Sequence, residues 1–140
     1  MKSYGFFLLR DERRQAMLIH QVKHHTNEQW TFCKGRGKRG EDPITTAKRE
    51  LQEETGIGPV RILLQCRTFN SMYKLRNGRM KEIILFVAEL EDDRDEGCPC
   101  KHEVDSIAWL PLCDIESRLS WDEDKKLARC ILSAMEDSEI

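Results

Sequence analysis

The chain has 140 residues, with 23 Lys and Arg against 25 Asp and Glu and a formal net charge of −2. That length fits one ordinary domain over residues 1–140, long enough to bury a core. The near-neutral balance argues against broad electrostatic binding of nucleic acid, so no stable nucleic-acid partner is expected. No stretch is apolar for long enough to span a membrane.

Residues 4–9 read as a first strand. They resemble a signal peptide only superficially, because the apolar run is short and Asp11-Glu12-Arg13-Arg14 follows it without a small-residue cleavage site. Without a secretory signal the six cysteines read as free thiols in a reducing compartment, and a cytoplasmic location is expected. After a charged turn over 10–15, residues 16–22 form a second strand. Trp30-Thr31-Phe32 is a short third strand leading into the basic, glycine-rich loop 34–40.

The next element carries strong end signals. Asp42 is a good N-cap, Pro43 fits the first helical position, and Gly56 suits a left-handed C-terminal residue, which predicts a helix over about 43–55. Ile44, Ala47, Leu51 and Thr55 share one stripe and should pack on the core. Glu50, Glu53 and Glu54 gather beside that stripe, and Arg49 lies one turn before Glu53.

Beyond the helix, residues 60–69 and 82–90 read as strands rich in β-branched and large apolar side chains, with Asn77-Gly78 as a hairpin turn between them. The acidic run 89–96 should be solvated. Cys98-Pro99-Cys100-Lys101-His102 lacks a fourth ligand and the C-x-x-C spacing of a zinc site, and reads as a polar loop turned by Pro99. A short strand over 106–110 ends at Pro111. Ser120 and Glu123 form a capping box opening a C-terminal helix over about 121–137, with Leu127, Ala128, Ile131, Leu132 and Met135 on its packing face. Strands broken by two substantial helices give a mixed α/β domain.

Chemistry concentrates between Gly35 and Ile57. Three clustered carboxylates repel one another unless a cation neutralises them, and carboxylate oxygens without His or Cys suit Mg²⁺ or Mn²⁺ rather than zinc. The neighbouring loop offers glycines for close backbone approach and cations for an anion. Taken singly, each also fits an ordinary solvated charged surface. Joined, they favour a phosphate substrate.

Gly35, Glu41, Arg49, Glu50, Leu51, Glu53, Glu54, Gly56 and Ile57 match every defining position of the Nudix box. The chain therefore resembles the Nudix hydrolases. The resemblance implies an α/β/α sandwich around a mixed sheet, and hydrolysis of a nucleoside diphosphate linked to another moiety with Mg²⁺ or Mn²⁺. It also implies that Glu50, Glu53 and Glu54 ligate metal, helped by a backbone carbonyl near Lys34 or Gly35, with Arg49 in the catalytic set. Many members add a carboxylate from outside the box, for which Glu103 is the candidate; an exposed loop glutamate is the alternative.

The flanks are similar to those of the asymmetrical diadenosine tetraphosphate hydrolases. The likeness rests on Trp30-Thr31-Phe32-Cys33-Lys34-Gly35 and on Tyr73 eight residues before Lys81. It implies that Lys34 and Lys81 bind the phosphate chain and Tyr73 stacks on a base, with Trp30 and Arg36 completing the substrate set. Trp121 is either a second aromatic or packing at the helix start. Two departures are Cys33, where that group commonly has Pro, and the basic residues after Gly35. They keep open a 5′-triphosphate RNA end, a diphosphoinositol phosphate or a nucleoside triphosphate as substrate. A Nudix-like ligand sensor is the non-enzyme alternative, although such a module should have lost Glu50, Glu53 or Glu54. The expected partner is a small polyphosphate; the sequence leaves the oligomeric state open.

Overall fold

The computed structural model describes residues 1–21, 29–100 and 103–138. In chain order the elements are β1 (Lys2–Arg10), β2 (Gln15–Gln21), β3 (Gln29–Thr31), β4 (Lys34–Arg36), α1 (Pro43–Thr55), β5 (Val60–Ile62), β6 (Thr68–Lys74), β7 (Met80–Leu90), β8 (Val104–Pro111), α2 (Leu112–Arg118) and α3 (Asp122–Asp137). β1 is central. It runs parallel to β7 from Lys2 opposite Glu82 to Leu9 opposite Glu89, and its other edge is shared by β2 and β4. β2 carries β3 and β8, while β7 carries β5 and β6, all antiparallel.

The near-continuous apolar run of β1 follows from its position, because a strand covered on both faces cannot alternate with polar residues. Phe7 and Leu9 pack with Leu18, Leu85 and Val87 beneath Leu127, Ala128, Ile131 and Met135 of α3 and Ile115 of α2. Phe6 and Leu8 point to the opposite face, where Met17, Ile19 and Phe86 meet Ala47 and Leu51 of α1. The result is a mixed sheet with α1 on one side and α2 and α3 on the other. This is the expected α/β/α arrangement.

α1 occupies the residues its end signals predict. The Asp42 carboxylate accepts from the Thr45 N–H at 2.8 Å, Pro43 starts the helix, and Gly56 ends it at φ 70° with its N–H on Gln52 O. A left-handed residue is costly for most side chains, which is why glycine stands there.

Four expectations change. Residues 60–69 are not one strand: β5 and β6 both pair with β7, but Ile62 faces Ala88 while Thr68 faces Phe86. The extra residues loop out through a turn at Leu64–Cys66 with φ values of 53°, 51° and 62°. Residues 34–36, expected as loop, form β4 and pair with β1 from Ser3 to Gly5. α2 was not anticipated. Ser120 does not cap α3, whose preceding residue is Trp121; instead its Oγ accepts from Trp30 N–H at 2.8 Å and its own N–H donates to Trp30 O at 3.1 Å. The first-turn acids Asp122, Glu123 and Asp124 supply the negative charge that a helix N-terminus favours. Val22 of the predicted second strand, and Lys101 and His102 of the cysteine loop, lie outside the described residues. Among the described residues no helix is long and apolar enough to cross a membrane.

Candidate active site

One guanidinium ties the basic loop to α1. Arg49 Nε and Nη2 donate to the two oxygens of Glu41 at 2.8 and 3.0 Å, and Nη2 also donates to the Arg36 carbonyl at 2.8 Å. Nη1 donates to Glu50 at 3.0 Å and to Glu53 at 3.1 Å. Glu41 also accepts from the Lys38 N–H at 3.0 Å and the Thr46 hydroxyl at 2.7 Å. These bonds, that of Arg49 foremost, pull the Glu41 carboxyl down to about 2, and Glu41 in turn holds Arg49 above its ordinary value. A bidentate charge-assisted pair fixes orientation as well as attraction. Glu41 and Arg49 therefore hold the loop at a set angle to the helix.

The neighbouring pair of carboxylates is under strain of another kind. Glu54 is buried at 3% exposure. Burial, then the adjoining Glu50 carboxylate, pushes its carboxyl from the ordinary 4.5 up to about 8, opposed by Cys33 and Lys34. The Cys33 thiol donates to Glu54 Oε2 at 3.5 Å, and is itself pushed up first by burial and then by Glu54. Lys34 Nζ donates to the Thr31 hydroxyl at 3.0 Å and the Phe32 carbonyl at 3.4 Å; Thr31 passes a hydrogen bond to buried Asp124 at 2.8 Å. Gly35 is required here by close approach, since a Cβ would land on the Glu50 carboxyl group.

Two carboxylates sharing a dry site hold a proton more tightly than either does in water, and a hard cation relieves the same repulsion. By that test the residues fit Mg²⁺ or Mn²⁺. Glu50 and Glu54 converge, whereas Glu53 is turned to Arg49 with its side chain 53% exposed. Among the described residues no three His, Cys, Asp or Glu side chains already stand as a metal-binding group.

Glu50 and Glu54 open onto a cleft of about 1140 Å³, somewhat beyond the usual range for small-ligand pockets and roomy enough for an extended nucleotide. Lys34, Gly35 and Arg36 line one wall, Tyr73 and Lys81 another, and Trp121, Glu123 and Asp124 come from the start of α3. Glu103 also lines it. Tyr73 and Lys81 are direct cross-strand partners, with the Lys81 ammonium 5.9 Å from the ring centroid. Burial, then Asp124 and Glu123, raises the Tyr73 hydroxyl. Trp121 is half exposed on the cleft.

Of the predicted site residues, Arg49 and Glu53 pair with each other and do not line the cleft, and neither does Trp30. Its ring packs between His20, 5.0 Å away centroid to centroid, and the Arg118 guanidinium at 4.7 Å. With its two backbone bonds to Ser120, it supports the segment that presents Trp121. Thr31, Thr46 and Asp124 were not foreseen. Thr31 and Asp124 are 93 residues apart, so no local spacing announces their contact.

The NUDIX domain family signature matches residues 2–130. The chain belongs to the Nudix family. It is 28% identical over 119 residues to a putative mutator protein, MutT4, of Mycobacterium tuberculosis, covering 81% of this chain and 45% of that protein. It is 25% identical over 129 residues to Nudix hydrolase 6 of Arabidopsis thaliana, covering 89% and 44%. The chain thus spans a little under half the length of these Nudix relatives. Among solved structures, a Caenorhabditis elegans Ap4A hydrolase in a binary complex superposes with a TM-score of 0.80 at 23% identity, covering 97% of this chain and 98% of that one. The same hydrolase in a second structure gives 0.75 at 22% identity, covering 96% and 97%. At these identities the superposition shows a shared Nudix fold.

Proposed function

We propose that this Nudix domain is a pyrophosphohydrolase. Its preferred substrate would be a dinucleoside polyphosphate such as diadenosine tetraphosphate, with Mg²⁺ or Mn²⁺ as cofactor. The observation that carries the reading is that one cleft joins the Glu50–Glu54 carboxylate pair to the Tyr73–Lys81 pair. The first suits phosphoanhydride chemistry, and the second suits a base beside a phosphate chain. The likeness to a hydrolase of Ap4A supports the substrate.

In this reading Glu50, Glu53 and Glu54, with the Gly35 carbonyl and Glu103 nearby, hold the metal. When bound, the cation neutralises phosphate charge and makes a water more acidic. Lys34 and Lys81 bind the anionic oxygens, and Arg36 extends that positive wall. Tyr73 stacks on a base, and Trp121 offers a second flat surface; such contacts are worth ~1–3 kcal/mol per base. A water oxygen attacks phosphorus and the bridging P–O bond breaks. One of the box glutamates takes the water proton. Arg49 and Glu41 act by positioning Glu50, Glu53 and the loop.

The presence of Glu50, Glu53 and Glu54 together argues against a sensor that has lost its chemistry. Arg36 on the cleft wall favours, as a second reading, a more highly charged substrate such as a triphosphorylated RNA end. A screen in Mg²⁺ distinguishes these readings. It compares dinucleoside polyphosphates, triphosphorylated RNA, nucleoside triphosphates, nucleotide sugars and diphosphoinositols. The proposal expects the highest kcat/KM with dinucleoside polyphosphates; cleavage of none of these anhydrides contradicts it.

A further inference from the structure

Lys34 stands beside the carboxylate centre on both sides of its own backbone. It precedes Gly35, whose backbone lies against the Glu50 carboxyl, and it follows Cys33, whose thiol donates to Glu54. Its positive charge opposes the rise that burial and Glu50 impose on the Glu54 carboxyl. An ammonium on a flexible four-carbon stem is a ready counter-ion for two crowded carboxylates. Settled on them, it would relieve the repulsion between Glu50 and Glu54 and weaken the attraction that draws in a divalent cation.

The fold turns the ammonium elsewhere. Lys34 Nζ donates to the Thr31 hydroxyl at 3.0 Å and to the Phe32 carbonyl at 3.4 Å, and the Thr31 hydroxyl donates to Asp124 Oδ2 at 2.8 Å. A hydroxyl has one proton, so giving it to Asp124 leaves the oxygen lone pairs for the lysine. The chain from ammonium to hydroxyl to carboxylate is therefore polarised one way, each bond strengthening the next. Thr31 ends β3, and Asp124 lies in the first turn of α3, where a helix favours negative charge. Both are 2% exposed. Packing alone does not call for such a pair, because apolar side chains fill space without desolvating a hydroxyl and a carboxylate. Thr31, Lys34 and Asp124 line the same cleft as Glu50 and Glu54, so the pair sets where in the cleft the lysine charge stands.

We propose that Thr31 and Asp124 are positioning residues that hold the Lys34 ammonium off the Glu50–Glu54 pair, which keeps the pair open to a divalent cation. This rests on the reading that Glu50 and Glu54 hold Mg²⁺ or Mn²⁺. It goes beyond that reading by giving two buried residues on other elements a part in metal binding without contact to the metal. Released from Thr31, the ammonium competes with the cation for the same carboxylate oxygens.

The test titrates the metal-free protein with Mg²⁺ and reads the rise in melting temperature, which requires no turnover. Thr31→Val removes the hydroxyl and should raise the Mg²⁺ concentration at half-effect about tenfold or more, since a hydrogen bond between charged groups must break before the cation enters. Asp124→Asn keeps the shape, removes the charge and should move the half-effect concentration in the same direction. Thr31→Ser keeps the hydroxyl and should stay at the wild-type value. Lys34→Met is the deciding background. With no ammonium to restrain, adding Thr31→Val should leave the half-effect concentration where Lys34→Met alone puts it. A wild-type value in both Thr31→Val and Asp124→Asn overturns the proposal. So does the same increase with and without Lys34, which would mark a general loss of structure at the cleft. A wild-type melting temperature indifferent to Mg²⁺ is a distinct outcome: it contradicts the metal reading itself and takes this inference with it.

Discussion

Tyr73 and Lys81 stand directly opposite one another on β6 and β7, the Lys81 ammonium 5.9 Å from the Tyr73 ring centroid. A spacing of eight residues along the chain thereby becomes a single side-by-side pair on the cleft wall. Stacking and phosphate contact are ground-state interactions as well as transition-state ones, so their loss should raise KM more than it lowers kcat. For Tyr73→Ala, KM for diadenosine tetraphosphate should rise about 5- to 150-fold, the equivalent of ~1–3 kcal/mol. Lys81→Ala should change KM in the same direction. Steady-state kinetics with unchanged KM in both variants removes the specificity argument.

Arg49 joins Glu41, Glu50, Glu53 and the Arg36 carbonyl through one planar group. A lysine supplies charge but not the fork that reaches several partners at once. Arg49→Lys should keep the fold and lose about 10²-fold in kcat, because a displacement of around 1 Å at a reacting centre costs that much. Wild-type kcat in Arg49→Lys would show that charge alone suffices.

Gly35 tests close approach in the same region. A methyl group there meets the Glu50 carboxyl, and β4 is hydrogen-bonded to β1 and cannot simply withdraw. Gly35→Ala should destabilise the fold by about 1–3 kcal/mol and weaken the response to Mg²⁺. Thermal denaturation with and without Mg²⁺ measures both effects. An unchanged melting temperature together with an unchanged Mg²⁺ shift contradicts the contact.

Glu54 gives a pH dependence whose sign is fixed by the direction of its shift. Its carboxyl is raised in the folded protein from 4.5 to about 8, so the folded state holds the proton more tightly than the unfolded chain. The metal-free protein should therefore lose stability as pH rises between those values, by up to about 1.4 kcal/mol per pH unit from this group. Glu54→Gln should flatten that slope. Because cation and proton compete for the pair, Mg²⁺ should raise the melting temperature more at pH 8 than at pH 6. A wild-type slope retained in Glu54→Gln would place the pH response elsewhere.

What could be read from the sequence was local. α1 carries its own punctuation in Asp42, Pro43 and Gly56, and its carboxylates are three and four residues apart, so helix and cluster are both legible. β1 was legible because burial on both faces leaves an apolar run. The bulge at Leu64–Cys66 was not, since residues 60–69 are rich in the β-branched and large apolar side chains of a strand and only pairing with β7 reveals the extra residues. Ser120 has the spacing of a capping box, but its hydroxyl is taken by Trp30, 90 residues away. The same contact explains Trp30. Its place beside the Thr31-Phe32-Cys33-Lys34 run suggested the substrate, whereas its ring packs against His20 and Arg118 away from the cleft lining. Thr31 and Asp124 likewise have no local signature. Long-range pairing decided each of these.

The most direct test of the central claim follows product formation from diadenosine tetraphosphate in Mg²⁺ by the wild-type protein and by Glu53→Gln and Glu54→Gln. The expected result is Mg²⁺-dependent appearance of ATP and AMP, abolished by chelation and reduced by orders of magnitude in both variants. Full activity in both variants, or hydrolysis indifferent to Mg²⁺, would contradict a carboxylate-held metal centre on α1.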